Sequence, residues 1–104
     1  MTYRPVAKFS VDSAFKITGL GFFMVGKLIS GTINIGDYID LNCIQLNLMP
    51  KIFAIEFTLK YIDGKAVEDP AIGVTDLTAD EAIRIQNSLG SLKNIDIIKK
   101  IKCR

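Results

Sequence analysis

The sequence predicts a small all-β fold, an antiparallel β-barrel carrying one short helix. Isoleucine dominates the apolar residues, and β-branched side chains suit a pleated, half-buried surface better than a helix. Short apolar segments recur along the chain, punctuated by Gly, Asp, Asn and Pro, as in barrels and sandwiches. At 104 residues, 49% of them hydrophobic, the chain holds enough for one core and no more. No internal repeat, low-complexity run or linker divides residues 1–104.

Residues 6–11 alternate, with Ala7, Phe9 and Val11 on one face, and 14–17 form a second short strand in which Phe15 and Ile17 share a side. Gly19-Leu20-Gly21 is a loop. Residues 22–30 run as a long strand bent at Gly26, where a missing side chain marks a bulge or barrel corner. Gly31 turns the chain into a strand over 32–35, and Gly36-Asp37 breaks it again before a strand over 38–41. Residues 42–50 alternate Ile44, Leu46 and Leu48 with polar Gln45 and Asn47, a pattern compatible with a strand that Pro50 ends. Residues 51–60 alternate cleanly, with Phe53, Ile55, Phe57 and Leu59 on one side and Ala54, Glu56 and Thr58 on the other. Asp63-Gly64 and Glu68-Asp69-Pro70 read as turns or loops around Ala66 and Val67, and 71–77 return to strand.

Residues 78–89 break the pattern. Thr78-Ala-Asp-Glu81 has the form of a capping box, Ala82, Ile85 and Leu89 recur at helical spacing, and Gly90 supplies a stop. The isoleucine-rich tail, 94–104, reads as a last strand.

Composition excludes much chemistry. The chain has no histidine, which removes the Ser-His-Asp triad, the Cys-His pair and every histidine metal ligand. No other residues pair as nucleophile and base, so catalysis is not expected. Lys plus Arg number 13 and Asp plus Glu 11; the resulting charge of +2 does not by itself demand nucleic acid. The opening Met-Thr-Tyr-Arg-Pro lacks the basic-then-apolar build of a signal peptide. The longest apolar run, 20–25, is far short of the ~20 residues of a membrane helix. These features predict a cytoplasmic chain with no membrane partner. Cys43 and Cys103 show no metal-type spacing and read as idle thiols of a reducing compartment, a disulfide between them being the alternative.

Three local patterns resolve into structural readings. Residues 21–27, Gly-Phe-Phe-Met-Val-Gly-Lys, fit the opening of a phosphate-binding P-loop, but Leu28 stands where Ser or Thr would hold magnesium. Four large apolar side chains inside the loop make it a strand between two glycines, so no nucleotide is expected. Asp76, Asp80 and Glu81 gather at the helix start, where carboxylates cap free amides and complement the dipole, so no metal and no cofactor are expected. Lys93, Lys99, Lys100, Lys102 and Arg104 make the tail basic. In a strand, Lys100, Lys102 and Arg104 share a face that can meet phosphates, while guarding a sheet edge explains them equally.

The order of breaks over 11–41 is more specific than any of these. Val11-Asp-Ser-Ala-Phe15-Lys-Ile17, Thr18-Gly19-Leu20-Gly21, Phe22-Phe-Met-Val-Gly26, Lys27-Leu-Ile-Ser-Gly31 and Thr32-Ile-Asn-Ile-Gly36-Asp37 resemble the second, β-barrel domain of translational GTPases such as elongation factor Tu. Further on, Ile55-Glu56-Phe57 is similar to that family's Val-Glu-Met strand and Ile72-Gly73-Val74 to its Val-Gly-Val strand. The resemblance spans residues 6–86. It implies a translation-factor barrel and contact with RNA or the ribosome. It carries over no GTPase chemistry, because the nucleotide domain is not among these residues. Glu56 matches the family's carboxylate at the aminoacyl end of transfer RNA; Thr58 and Ala71 stand where the family has His and Asn. The loop's usual Arg is Leu20, and the Arg-Gly before the last strand reads Ile85-Gln86.

Two functions are therefore expected of a non-catalytic module. In the first it contacts RNA or the ribosome through Lys16, Lys27, Lys51, Lys99, Lys100, Lys102 and Arg104, with Glu56 as a rim carboxylate. In the second it is a protein-interaction or self-assembly module, binding a protein partner or its own copies through Leu20, Phe22, Phe23 and Met24.

Overall fold

A computed structural model describes residues 2–75 and 77–101. The expectations at Asp76, Lys102, Cys103 and Arg104 lie outside the described residues. Six strands form: β1 (Thr2–Ile17), β2 (Gly21–Gly31), β3 (Tyr38–Ile39), β4 (Ile52–Ile62), β5 (Lys65–Val74) and β6 (Ile95–Ile101), with one helix, α1 (Ala79–Gln86). They make a single antiparallel sheet in the order β3-β6-β1-β2-β5-β4 that curls into a half-barrel. Where its edges approach, Tyr38 bridges Lys51, and the Ile52 amide donates to the Asp37 carbonyl at 2.8 Å. The small all-β architecture read from the sequence is the one observed.

Bulges supply the curl. The expected pair of short strands at 6–11 and 14–17 is one continuous β1, whose register with β2 shifts between Val11 and Ser13. The extra residue, Asp12, sits beside Gly26, where the strand was expected to bend. A Cβ at Gly26 would stand 1.8 Å from the Ser10 carbonyl oxygen, so the two strands approach too closely for any side chain there. Lys93 donates to the Val11 carbonyl at 2.8 Å and reaches Asp12 at 3.4 Å, fastening the bulge to the segment ahead of β6.

The core runs through Phe9, Val11, Met24, Ile39, Leu41, Ile52, Ile72, Ile85, Leu92, Ile95 and Ile97, all inaccessible or nearly so. Several expected elements change form around it. Residues 32–35 are not strand; Asp37 is buried and accepts the Asn34 amide at 3.1 Å, which bends the chain into a side-chain-closed turn. Residues 42–50 form no strand. A 3-10 turn at Asn42–Ile44, with Gln45 at a φ of 60°, breaks the alternation and lets Ile44 and Leu46 enter the core. Glu68-Asp69-Pro70 is strand within β5. At Pro70 β5 has a neighbour only on the β4 side, the edge-like position a proline tolerates.

The helix forms as its cap predicts. The Thr78 amide donates to Glu81 Oε1 at 2.8 Å and the Glu81 amide donates to Thr78 Oγ1 at 3.2 Å, satisfying two helix-end amides reciprocally. It stops at Gln86 rather than near Gly90, and a 3-10 turn at Leu89–Ser91 leads into β6. Leu77, Ala82, Ile85 and Leu89 pack on the core, so α1 plugs the end of the barrel at which β1 turns into β2.

Three stability measurements follow. Gly26→Ala should lower the unfolding free energy by about 3 kcal/mol through forced strand separation; Gly90→Ala, with open space around its Cβ, should stay within about 0.5 kcal/mol. Thr78→Ala should cost about 1 kcal/mol through the lost cap. Denaturant titration checks all three.

Candidate interaction surface

The strands that line the barrel are unequal in length, and this builds the molecule's most distinctive surface. β5 pairs with β2 only from Ala71 to Val74, whereas it pairs with β4 from Lys65 to Val74. Beyond Ala71 the β4–β5 hairpin leaves the sheet as a two-stranded arm, residues 57–70, turned at Asp63-Gly64. Both turn residues have positive φ, 52° and 77°, the requirement of a tight hairpin turn whose twist matches its strands. Six residues per strand at about 3.4 Å each make an arm of about 20 Å, in keeping with overall dimensions of 51 × 29 × 26 Å.

Alternation decides what the arm presents. Ile55 and its partner Ile72 face the core. Two, four and six residues on, Phe57, Leu59 and Tyr61 keep the same face, the barrel's concave side, with Pro70, Glu68 and Ala66 directly opposite. Nothing among the described residues covers them: Phe57 is 64% exposed, Leu59 57% and Tyr61 71%. At their base, Leu28, Ile33, Ile55, Phe57 and Pro70 line a cleft of about 340 Å³. The mouth opposite α1 is thus apolar and open.

The contact surface expected at Leu20–Met24 does not exist as a surface. Phe22 and Met24 belong to the core, and Phe23 is buried on the convex face with Val25 and Ala71, leaving Leu20 exposed. The reason is a bulge at the start of β4. Ile52 takes the core position and Phe53, expected beside Ile55, packs edge-on against Phe23 at 5.8 Å between ring centres. Gly73 makes room, since a Cβ there would stand 2.8 Å from the Phe23 ring.

The lysines expected to meet phosphate are dispersed. Lys16 borders a second cleft, of about 510 Å³, between the Gly19–Gly21 loop, Phe53 and the start of α1, at the plugged end. Lys27 of β2 opposes Ser10 of β1, and Lys51 bridges Tyr38. Lys99 and Lys100 alternate on β6 and so face opposite sides. Arg4, absent from the expected set, stands directly opposite Lys99, on the concave side shared with Ile97. Glu56 is exposed on the convex face of β4, with Ala71 its cross-strand partner and Thr58 two residues on, so the three positions matched by resemblance do adjoin.

Cys43 is exposed; partial desolvation, with Asp40 and Asp96 nearby, raises its thiol above the usual value, which keeps it protonated and poorly nucleophilic at neutral pH. Among the described residues no helix is long and apolar enough to cross a membrane. No protein-family model matches the chain, and no curated protein is similar to it.

The arm carries its own prediction. Phe57→Ser with Tyr61→Ser should change monomer stability by less than about 1 kcal/mol, because both rings are already in water, yet strongly reduce fluorescence of a dye that binds exposed apolar surface.

Proposed function

We propose that this chain is a non-catalytic module that binds protein through the concave face of its β4–β5 arm. The observation that carries the reading is the run Phe57, Leu59 and Tyr61, a core-type face continued outside the barrel and left exposed by the described residues. An isolated two-stranded hairpin is marginal in water, and an open apolar strand edge invites pairing. A partner laid on this face removes both liabilities. The resemblance to the translation-factor barrel domain supports a binding role, since such domains make contacts within their parent factors, and the absence of histidine supports a role without catalysis.

RNA contact is the competing reading. Its best support is Arg4 directly opposite Lys99, a short basic pair at the open end. The scatter of Lys16, Lys27 and Lys51 over other surfaces weighs against one continuous phosphate-binding face.

Affinity capture on immobilised protein from nuclease-treated lysate, in parallel with a Phe57→Glu/Tyr61→Glu variant, tests the reading. Bound protein should survive nuclease and disappear with the variant, while circular dichroism of the variant stays unchanged. Capture that vanishes with nuclease, or is indifferent to the variant, would overturn it.

A further inference from the structure

Resting on the protein-binding reading, we propose that the partner seated on the arm is a second copy of this chain, joined across a two-fold axis at the open end of the barrel. Antiparallel pairing places at that one end the arm, the end of β2 at Gly31, the start of β1 and the end of β6. Two ribbons therefore project together, the β4–β5 arm and the β1–β6 ribbon of Thr2–Pro5 with Ile98–Ile101.

Their charges are complementary. The concave face of the arm carries one charged group, Glu68, opposite Leu59 and between the apolar pairs Phe57–Pro70 and Tyr61–Ala66. The concave face of the terminal ribbon carries Arg4 and Lys99 side by side, and Asp96 of β6 pairs with Lys8. Within one molecule, like charges directly opposite on neighbouring strands disfavour the ribbon. An arm from a second molecule brings the carboxylate that offsets them, and its own ribbon receives the first molecule's Glu68. The exchange is reciprocal, as an isologous contact requires.

The area is adequate. Leu28 of the cleft and Phe57, Leu59 and Tyr61 of the arm, between 43% and 71% exposed, gather at this end. With ordinary side-chain areas they leave roughly 450 Å² of apolar surface in water, in the upper part of the range a monomer exposes. With the Glu68, Arg4 and Lys99 rim, the patch comes to roughly 600 Å² per partner, the low end of a stable interface. Each Phe57–Tyr61 face then lies over the other molecule's Leu28–Ile33 cleft.

Sedimentation velocity across protein concentration tests the inference. The purified chain should sediment as a dimer at about 100 µM, and Phe57→Glu/Tyr61→Glu should leave a folded monomer. Glu68→Lys alone and Lys99→Glu alone should each weaken the dimer about tenfold or more, and mixing the two variants should restore it as a heterodimer. A chain that stays monomeric at every concentration would overturn the second-copy inference, and leaves the protein-binding reading standing if arm-dependent capture persists. A dimer that survives the Phe57→Glu/Tyr61→Glu change would overturn it too, because its contact lies elsewhere. A monomer whose arm variants abolish binding to RNA, and not to protein, would overturn both.

Discussion

The inner face of this sheet outruns the barrel it lines. Four pairs, from Phe22–Val74 to Val25–Ala71, tie β5 to β2, while ten pairs tie β4 to β5. Where pairing with β2 stops, curvature toward the core stops with it, but the alternation of apolar residues does not. Ile55 is half-buried at the rim, and Phe57, Leu59 and Tyr61 carry the same pattern into water. Every other feature of the open end follows from that mismatch: the apolar cleft, the free strand edges and the elongated shape.

The two ends of the barrel are finished in opposite ways. At one end the chain supplies its own lid. Thr78 and Glu81 fix the start of α1, Ile85 and Leu92 are inaccessible, and Arg84 donates to the Ile44 carbonyl at 3.0 Å, holding the 3-10 turn against the helix. At the other end no element of the described chain folds over Phe57, Leu59 and Tyr61. Burying a large apolar side chain is worth about 1.5–3 kcal/mol, so a chain that leaves three such residues aligned on one exposed face forgoes stability that a partner would restore. The charges respect the same division. Glu68 is the charge set between the arm's apolar pairs Phe57–Pro70 and Tyr61–Ala66, and Arg4 and Lys99 stand opposite one another on the terminal ribbon.

Much of this was legible in the residues. The glycines over 19–36 mark the real breaks, and Gly26 is the tightest point of the β1–β2 approach. The capping box announced the start of α1 to the residue. What misled was local punctuation set against long-range pairing. Asp69 and Pro70 look like loop residues, yet the cross-strand partners Thr58 and Phe57 hold them in β5. The tight-turn signal Asp63-Gly64, with alternating apolar residues on both sides, was the clue that a single long hairpin runs through this region. Phe22, Phe23 and Met24 look like a contact patch because a run of four apolar residues has no visible inner and outer side. Only the sheet, buried on both faces there, explains why all three are core. The loss of period at 42–50 was not readable, because a left-handed residue at Gln45 rather than a glycine breaks that strand.

Amide hydrogen exchange followed at several protein concentrations tests most directly whether the arm is a surface built to be covered. Amides of β2 at 22–25 and of β5 at 71–74 should be protected throughout. Those of 57–62 and 65–69 should exchange rapidly in dilute solution and gain protection as concentration rises. Protection of the arm at the lowest concentration would mean that the chain covers it unaided, and rapid exchange at every concentration would mean that no second copy does; either result contradicts the account.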